Sequence, residues 1–315
     1  MSDPARVSVV LAVHDRNGHD LDALQAVLAS DLREIEVIVV DNGSADRAAG
    51  LVAAVRDDRV KAVRLRPGVG TARPRNVGIA RASAPYVALL EPDDLVRPDK
   101  LAAAVSALDR NPLAGFAFTD FEYAGPAAGC SAITALPGFA TLVRTPLEGG
   151  WQLIRQPALA RALLSGNFIA NSGVVLRRKL LTEIGPFDES TIHCSELDLW
   201  FRLGHACDAL YWDRVGHTRQ EPAAAAEGNA FGARARDVIT VLRREKERWS
   251  ERRARTQLDR RIAQNIAALG YAERERRNRL RSAVMFAWAF ATSPHIRWLP
   301  GMLGVVRSQH APPQG

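Results

Sequence analysis

The sequence has few cysteines and no long unbroken apolar run. Its three cysteines, Cys130, Cys194 and Cys207, stand without CxxC spacing, so we predict neither a disulfide framework nor a zinc site, and a reducing compartment is favoured. Near the amino terminus, acids and a proline precede an apolar stretch that is too short for a signal peptide. The apolar segment after residue 283 is interrupted by prolines, a histidine and an arginine, which argues against a spanning helix. We therefore expect a cytoplasmic protein.

Two nucleotide-binding signatures are also missing. No GxxxxGK[ST] run occurs, which excludes a P-loop, and the Gly-Val-Gly at 68–70 lacks the spacing of a dinucleotide fingerprint. The composition is that of a globular protein, with 47% hydrophobic and 24% charged residues among 315. A chain of this length forms one large domain or two ordinary ones.

Charge is distributed unevenly along the chain. Residues 1–233 carry 24 Lys+Arg against 28 Asp+Glu, whereas residues 234–315 carry 18 against 7. The basic part indicates an anionic partner, a membrane or a nucleic acid, or else a solvated helix face rich in arginine. We expect residues 231–315 to contact an anionic membrane surface and no nucleic acid. The competing interpretation is a set of helices packed on the catalytic domain or on a second subunit, which leaves a homo-oligomer open.

The first 115 residues alternate between apolar strands and helices. Strands are predicted at 6–13, 35–41, 60–65 and 85–90, and helices at 20–30, 45–57 and 75–83. Fully apolar strands in such an alternation predict a parallel sheet covered on both faces. Because ligands lie outside the carboxyl ends of the strands of such sheets, Asp41 and the acids at 91–94 are expected to point into one crevice.

The order of elements changes after residue 112. Strands are predicted at 115–125 and within 167–178, helices at 151–165, before Gly185 and at 195–206, a linker at 221–230, and a helical region at 231–281. We therefore divide the chain into a first half at 1–115, a second half at 116–225 and a basic helical extension at 226–315.

Three short segments carry residues suited to nucleotide chemistry. Asp41, followed by Asn-Gly-Ser, can accept hydrogen bonds from a nucleobase, although the turn itself needs only its neighbours. Two arginines in "GTARPRNVGI" precede a helix and suit phosphate. The acids Glu91, Asp93 and Asp94 suit Mg²⁺ or Mn²⁺ bridging a diphosphate. The bland alternative for these acids is a solvated turn that caps the next helix.

Five segments, taken in order, resemble the family-2 glycosyltransferases. They are "VSVVLAVHD", "VIVVDNGSAD", "GTARPRNVGIARASAPYVALLEPDD", "NSGVVLRRKLLTEIGPFDES" and "SELDLWFRL", within residues 6–220. The resemblance implies an α/β GT-A fold, which is a Rossmann-like, mostly parallel nucleotide-binding sheet, here with a carboxyl-terminal helical extension. It also implies a hexosyltransferase-type enzyme that transfers a sugar from a nucleotide-diphosphate donor with inversion. Residues 1–115 would then be the nucleotide-sugar-binding half and residues 116–225 the acceptor-binding half.

The resemblance assigns the donor side residue by residue. Ala12, His14, Asp41, Arg75 and Glu91 are the expected nucleotide-binding residues, with His14 and Asp41 near the base. Asp93, aligned with the second acid of the family's Asp-x-Asp, is the expected ligand of Mn²⁺ or Mg²⁺. His217 falls where the family often carries a histidine near the phosphates, although a lone histidine is more often structural.

On the acceptor side, the family's catalytic base lies at the start of the "ELDLWFRL" helix. Glu196 occupies that position as general base, and Ser195 replaces the preceding acid. Asp198 is the fallback, with an i+4 ion pair to Arg202 as its preferred alternative role. Asn171 and Ser172 are expected to line the acceptor side.

The expected substrates are a nucleotide-diphosphate sugar, with UDP as the first choice, and a saccharide or lipid-linked acceptor. The setting would be cell-envelope polysaccharide synthesis, with the enzyme peripheral on the inner face of the membrane. A catalytically silent member of the fold that acts as a binding or assembly partner is the alternative, motivated by Glu91 and Ser195. A nucleotidyltransferase is less favoured, because no glycine-rich, lysine-bearing loop follows strand one.

Overall fold

A parallel sheet of apolar strands forms the first part of the protein. The structure, a computed structural model, describes residues 4–13, 19–43, 47–68, 70–125, 130–220, 231–295 and 298–299. Strands β1 (Val7–Val13), β2 (Ile35–Asp41), β3 (Val60–Arg64) and β4 (Tyr86–Leu90) lie in the order β3–β2–β1–β4, all parallel. The helices between and after them are α1 (Asp20–Leu28), α2 (Arg47–Val55), α3 (Ala72–Arg81) and α4 (Lys100–Arg110). β1, β2 and β4 are buried throughout, because helices cover both faces, as predicted.

The second part extends the same sheet with mixed strands. They are β5 (Asp94–Val96), β6 (Ala114–Tyr123), β7 (Thr145–Pro146), β8 (Trp151–Ile154), β9 (Val175–Arg177) and β10 (Asp208–Arg219). β9 runs antiparallel between β4 and β6, and the order continues β6–β10–β8–β7, with β5 paired to β10. The described residues thus form one ten-stranded sheet that joins both halves. The division of the chain at 115 and 225 stays a prediction.

The structure corrects the helix predicted at 151–165. Trp151–Ile154 is strand β8, and helix α5 covers only Ala158–Leu163. β8 pairs antiparallel with β10, and the rings of Trp151 and Trp212 stack with centroids 5.5 Å apart. A short apolar segment fits either element, and here the partner strand decides it.

Two further helices complete this half. α6 (Arg178–Ile184) ends at Gly185, and α7 (Ser195–Ala206) spans the predicted helix. The apolar stripe of α7 is buried in the core shared with β6 and α5; its members are Leu197, Trp200, Phe201 and Leu203. This packing fixes the start of α7, and with it Glu196, relative to the sheet.

Three helices follow: α8 (Phe231–Arg248), α9 (Arg252–Glu275) and α10 (Arg279–Thr292). The predicted linker at 221–230 lies outside the described residues. Buried side chains of α8 and α9 join the same core as α7, and Arg161 pairs with Glu251 across that junction. α10 packs on α9, where Phe286 meets Tyr271 edge to face. Within the described ranges, none of the helices has the length and apolarity needed to cross a membrane.

Candidate functional site

The carboxyl ends of β1, β2 and β4 meet at one edge of the sheet. Val13 is level with Asp41, and Leu11 is level with Leu90, the last residue before the acid segment. Ala12 lies buried in β1, and Asp41 is 1% exposed. One carboxylate oxygen of Asp41 accepts from the backbone N–H of Gly43 at 3.0 Å. His14, expected beside Asp41, lies outside the described residues.

A cavity opens beside Asp41 at the ends of β2 and β3. Its volume is about 350 Å³, and it is lined by Gly43, Arg64, Leu65, Arg66 and Pro67. Asn42 holds the neighbouring loop by donating from Nδ2 to the carbonyl oxygens of Gly68, at 3.2 Å, and Gly70, at 2.9 Å. The cavity therefore combines backbone polar groups with two arginines next to a buried carboxylate.

Arg75 and Glu91 form an ion pair at the head of the acid segment. Arg75 Nη2 lies 2.5 Å from Glu91 Oε1, and Asn171 Nδ2 donates to the same oxygen at 2.8 Å. Ser172 Oγ accepts from the backbone N–H of Glu91 at 2.9 Å. Burial pushes the pKa of Glu91 up, but Arg75 and Asn171 bring it below its usual value, so the group is ionised. Asn171 and Ser172 thus contact Glu91, and their acceptor role stays a prediction.

Asp93 and Asp94 lie in different environments. Asp93 is half-buried, and burial, followed by the nearby charge of Glu91, raises its pKa. Asp94 is 1% exposed, and neither of its carboxylate oxygens has a hydrogen-bond partner among the residues that the structure describes. Burial raises the pKa of Asp94 to about 7. A second positive charge at this point would relieve both carboxylates.

Cationic and imidazole groups surround Asp94 at more than hydrogen-bond distance. His217 Nε2 lies 3.7 Å from Asp94 Oδ2, and Arg219 Nε lies 3.6 Å from Oδ1. His217 is fully buried, its ring stacks on Phe121, and neither ring nitrogen has a hydrogen-bond partner in the described structure. Burial, with Lys100 and Arg219, lowers its pKa well below the usual range, which leaves a neutral imidazole.

Lys100 is a buried cation that the sequence analysis missed. Its ammonium donates to the carbonyl oxygen of Ser172, and burial lowers its pKa to about 7. Its position in the helix could have revealed it from the sequence. Lys100 stands at helical spacing from Ala104 and Leu108, so it lies on the buried face of α4. A lysine on an apolar face points to a buried anionic or carbonyl partner.

The donor set suits a hard divalent cation. Mg²⁺ is usually bound by one or two carboxylates together with substrate phosphates. Asp94 and His217 offer a carboxylate and an imidazole whose lone pairs accept no hydrogen bond from the described residues, and Asp93 offers a second carboxylate. No group of three His, Cys, Asp or Glu side chains is already assembled for a metal in the part of the chain that the structure describes. The residues therefore fit a cation whose coordination is completed by a bound diphosphate.

The segment before α7 is tied to helix α3, which carries Arg75. Asn76 Nδ2 donates to the carbonyl oxygen of Phe187 and to Glu189 Oε1, both at 2.9 Å, and its Oδ1 accepts from the Phe187 N–H at 3.0 Å. The Arg75 guanidinium lies 5.4 Å from the centre of the Phe187 ring. Gly70 approaches Ile192 so closely that an added Cβ would lie 2.8 Å from its Cγ2. These contacts hold the start of α7 against the edge of the sheet where the acids at 91–94 lie.

The two acids in the first turn of α7 differ in their partners. Glu196 is half-buried and makes no hydrogen bond or ion pair with described residues. Asp198 is paired with Arg202 Nε at 2.7 Å, which confirms the expected i+4 ion pair. Of these two acids, Glu196 is therefore the one whose carboxylate has no partner within the described part of the chain.

Comparisons with known proteins find similarity to glycosyltransferases over the first part of the chain. The model described as "Glycosyl transferase family 2" matches residues 8–127. The succinoglycan biosynthesis protein ExoO of Rhizobium meliloti is 37% identical over 103 residues, which cover 33% of this chain and 30% of ExoO. An uncharacterized glycosyltransferase of Rickettsia conorii is 29% identical over 118 residues, covering 38% of this chain and 19% of that protein. The chain thus spans less than a third of the length of these relatives.

Solved structures share the fold over nearly the whole chain. TarS 1–349 of S. aureus in complex with UDP-GlcNAc has a TM-score of 0.61 at 14% identity and covers 92% of this chain and 82% of its own. The mannosyltransferase PcManGT of Pyrobaculum calidifontis, in complex with GDP-Man and Mn²⁺, has a TM-score of 0.56 at 16% identity, covering 96% and 79%. The fold is therefore the GT-A fold. Over residues 8–127 the chain is similar to the family-2 glycosyltransferases.

Proposed function

We propose that the protein is an inverting glycosyltransferase that moves a sugar from a nucleotide-diphosphate donor to a hydroxyl of a saccharide or lipid-linked acceptor. The observation that carries the proposal is the convergence of Asp41, the Arg75–Glu91 pair and the acids Asp93 and Asp94 at one edge of the sheet. Glu196, which has no described partner, begins the helix held against that edge.

The donor's nucleotide is assigned to the cavity beside Asp41. A buried carboxylate there can accept hydrogen bonds from a base edge, and Arg64 and Arg66 line the cavity on the side of β3. The related folds were solved with UDP-GlcNAc and with GDP-Man, which supports a nucleotide sugar in general. UDP is the nucleotide to test first.

Asp93, with Asp94 and His217, would hold Mn²⁺ or Mg²⁺. When bound, such a cation neutralises the charge that develops on the diphosphate leaving group. The half-buried Asp93 and the unpartnered oxygens of Asp94 support this assignment, because both carboxylates are destabilised by burial without a cation. The ion pair with Arg75 leaves Glu91 beside the site as a positioning group.

Glu196 is assigned as the general base. Its carboxylate would take the proton of the acceptor hydroxyl as the oxygen attacks the anomeric carbon, and the bond to the nucleoside diphosphate breaks on the opposite side. A single displacement of this kind inverts the configuration. Asp198 is excluded from the same role by its ion pair with Arg202 and by its direction, about 200° around the helix from Glu196.

Envelope polysaccharide is the acceptor class we propose, with the enzyme working at the inner face of the cell membrane. The name of ExoO, a succinoglycan biosynthesis protein, supports a polysaccharide product. The alternative of a silent binding partner rests on Glu91 being committed to Arg75 and on Ser195 standing in place of an acid.

The test combines binding and turnover on the full chain. A thermal-shift panel of nucleoside diphosphates, with and without Mn²⁺, identifies the nucleotide, and hydrolysis or transfer of the matching sugar donor reports catalysis. Metal-dependent nucleotide binding with turnover supports the proposal. Binding with no turnover of any donor would assign the silent role instead, and pyrophosphate release from triphosphates would assign a nucleotidyltransferase.

A further inference from the structure

Helix α10 exposes an apolar face that the described residues leave largely uncovered. Leu280, Val284 and Trp288 are 78%, 52% and 38% exposed, and their spacing of four residues places them on one stripe. The buried residues Phe286 and Ala289 lie on the opposite side of the helix, against α9. Residues 282–292 contain no charged side chain. A surface helix that is apolar all round is expected to have a partner on its outer face.

The amino-terminal end of this stripe carries a cluster of arginines. Arg276, Arg277, Arg279 and Arg281 are all exposed. Arg277, Arg279 and Arg281 make no ion pair with described residues, and Arg276 has only Glu273 at 3.5 Å. Farther along the helix, Arg243 of α8 lies 5.1 Å from the centre of the Trp288 ring. An apolar stripe edged by unpaired cations and a tryptophan has the composition of a helix that lies in a lipid interface.

We infer that α10 is a docking helix for an anionic lipid surface, with the stripe of Leu280, Val284 and Trp288 entering the acyl boundary and the arginines of residues 276–281 contacting headgroup phosphates. Basic side chains next to buried apolar area give the two signals that stable peripheral binding needs. α8 and α9 are packed on the catalytic core, so the lipid contact is assigned to α10 rather than to the whole basic extension.

The charge pattern favours lipid over a second copy of the chain. A second copy would bring the same arginines, and Glu275 is the one exposed acid described between residues 271 and 292. Anionic headgroups supply the missing negative charge, whereas a symmetric pair of α10 faces supplies none. The inference concerns location alone, so it stands or falls separately from the proposed glycosyl transfer.

The test is co-sedimentation of the full chain with vesicles of equal parts phosphatidylglycerol and phosphatidylcholine. Leu280→Ser with Val284→Ser should lower the partition coefficient by at least about tenfold, because two exposed side chains lose their lipid contact. The matched control is Leu113→Ser with Val143→Ser, two side chains that are each 75% exposed on other elements. The control should bind as the wild type does. All variants are checked for unchanged melting temperature.

A second pair of variants tests the charge. The triple variant Arg277→Gln, Arg279→Gln, Arg281→Gln should lower vesicle binding by about a hundredfold, since each basic residue contributes about 1 kcal/mol at such a surface. The matched control is the triple variant Arg252→Gln, Arg253→Gln, Arg260→Gln. These arginines line a shallow depression at the far end of α9, so the control removes the same charge elsewhere and should have a much smaller effect on vesicle binding. Raised salt should weaken the binding of the wild type to the vesicles.

Three results of the vesicle experiments would overturn the inference, and a fourth comes from the oligomeric state. The vesicle results are a wild type that does not sediment with anionic vesicles, α10 variants that bind as tightly as the wild type, and equal losses from the two arginine sets. A wild-type oligomer that dissociates in the Leu280→Ser, Val284→Ser variant would assign the face to a second copy and would equally overturn the lipid assignment. Donor hydrolysis in solution, measured on the same proteins, reports the enzymatic proposal independently.

Discussion

Asp198 and Arg202 are ion-paired one turn apart on α7, with Arg202 Nε 2.7 Å from Asp198 Oδ2. The same guanidinium donates to the carbonyl oxygens of Ile184, at 2.9 Å, and Gly185, at 2.7 Å, where α6 ends. Asp198 therefore helps fix the junction of two helices, and its carboxylate is committed. Glu196, in the same turn, makes no hydrogen bond or ion pair with the described residues. Asp198 is therefore a structural acid, and Glu196 is the candidate base.

Glu196→Gln should lower turnover by about 10²–10⁴ while donor affinity stays nearly unchanged. The substitution keeps the side chain's shape and removes the group that accepts the proton of the acceptor hydroxyl. Single-turnover transfer measures the first effect, and calorimetry with the nucleoside diphosphate measures the second.

Asp198→Asn is the paired control. It should reduce the free energy of unfolding by roughly 1–3 kcal/mol, because Arg202 loses a half-buried charged partner, and should leave turnover within about tenfold of the wild type. An inactive Asp198→Asn beside an active Glu196→Gln would reverse the two roles.

Asp93→Ala should abolish the gain in nucleotide affinity that Mn²⁺ provides. Without the carboxylate, the cation loses a protein ligand while the diphosphate remains, so the metal-dependent part of binding falls. Calorimetry with and without Mn²⁺ measures it, with Asp58→Ala, an exposed acid between α2 and β3, as the control. Equal affinities in wild type and Asp93→Ala under both conditions would remove Asp93 from the metal site.

Much of the first half could be predicted because its physics is local. β1, β2 and β4 are buried on both faces and mostly apolar, with Ser8 in β1 and Glu36 and Asp41 in β2 as the exceptions, so type and order follow from the sequence. α7 was predicted over its full length from its apolar stripe. β8 was not, since a four-residue segment with three apolar residues fits either element and its partner in β10 lies about 60 residues away.

The candidate site also has a part that local motifs predict and a part that depends on long-range strand pairing. Asp41, Glu91 and Asp93 follow strands and could be identified from the motifs. The cluster around Asp94 depends on β5 pairing with β10, which sets Asp94 opposite Arg219 and Val96 opposite His217. Nothing in the local sequence specifies that long-range pairing, so Arg219 went unnoticed and His217 was placed by resemblance alone.

Stability should fall in acid as Glu36 takes up a proton. Its carboxylate accepts from Ser8 Oγ at 2.7 Å, Ser83 Oγ at 2.6 Å and Lys61 Nζ at 2.9 Å. Burial opposes ionisation, but these hydrogen bonds bring the pKa from 4.5 to about 2. Because the folded pKa is the lower one, the stabilisation is complete above about 4.5 and is lost as the pH falls through about 2.

Glu36→Gln should therefore cost about 3 kcal/mol at neutral pH and flatten the dependence of stability on pH below about 4.5. Denaturant unfolding at a series of pH values measures both effects. Glu247→Gln, an exposed acid on α8, should leave the curve close to the wild type. A Glu36→Gln profile that parallels the wild type throughout would show that this cluster contributes nothing to acid sensitivity.

Asn76→Ala should lower both stability and turnover. The asparagine makes three hydrogen bonds to Phe187 and Glu189, and these tie the segment leading to Glu196 against α3. Their loss should cost roughly 1–3 kcal/mol of unfolding free energy, and a base displaced by about 1 Å should lower turnover by about a hundredfold. Donor affinity should change less than turnover, because Asp41 and Asp93 lie on other elements.

Asn265→Ala, which removes one hydrogen bond within α9, is the matched control and should keep full turnover. Wild-type turnover in Asn76→Ala would mean that the segment before α7 is positioned by its apolar packing alone.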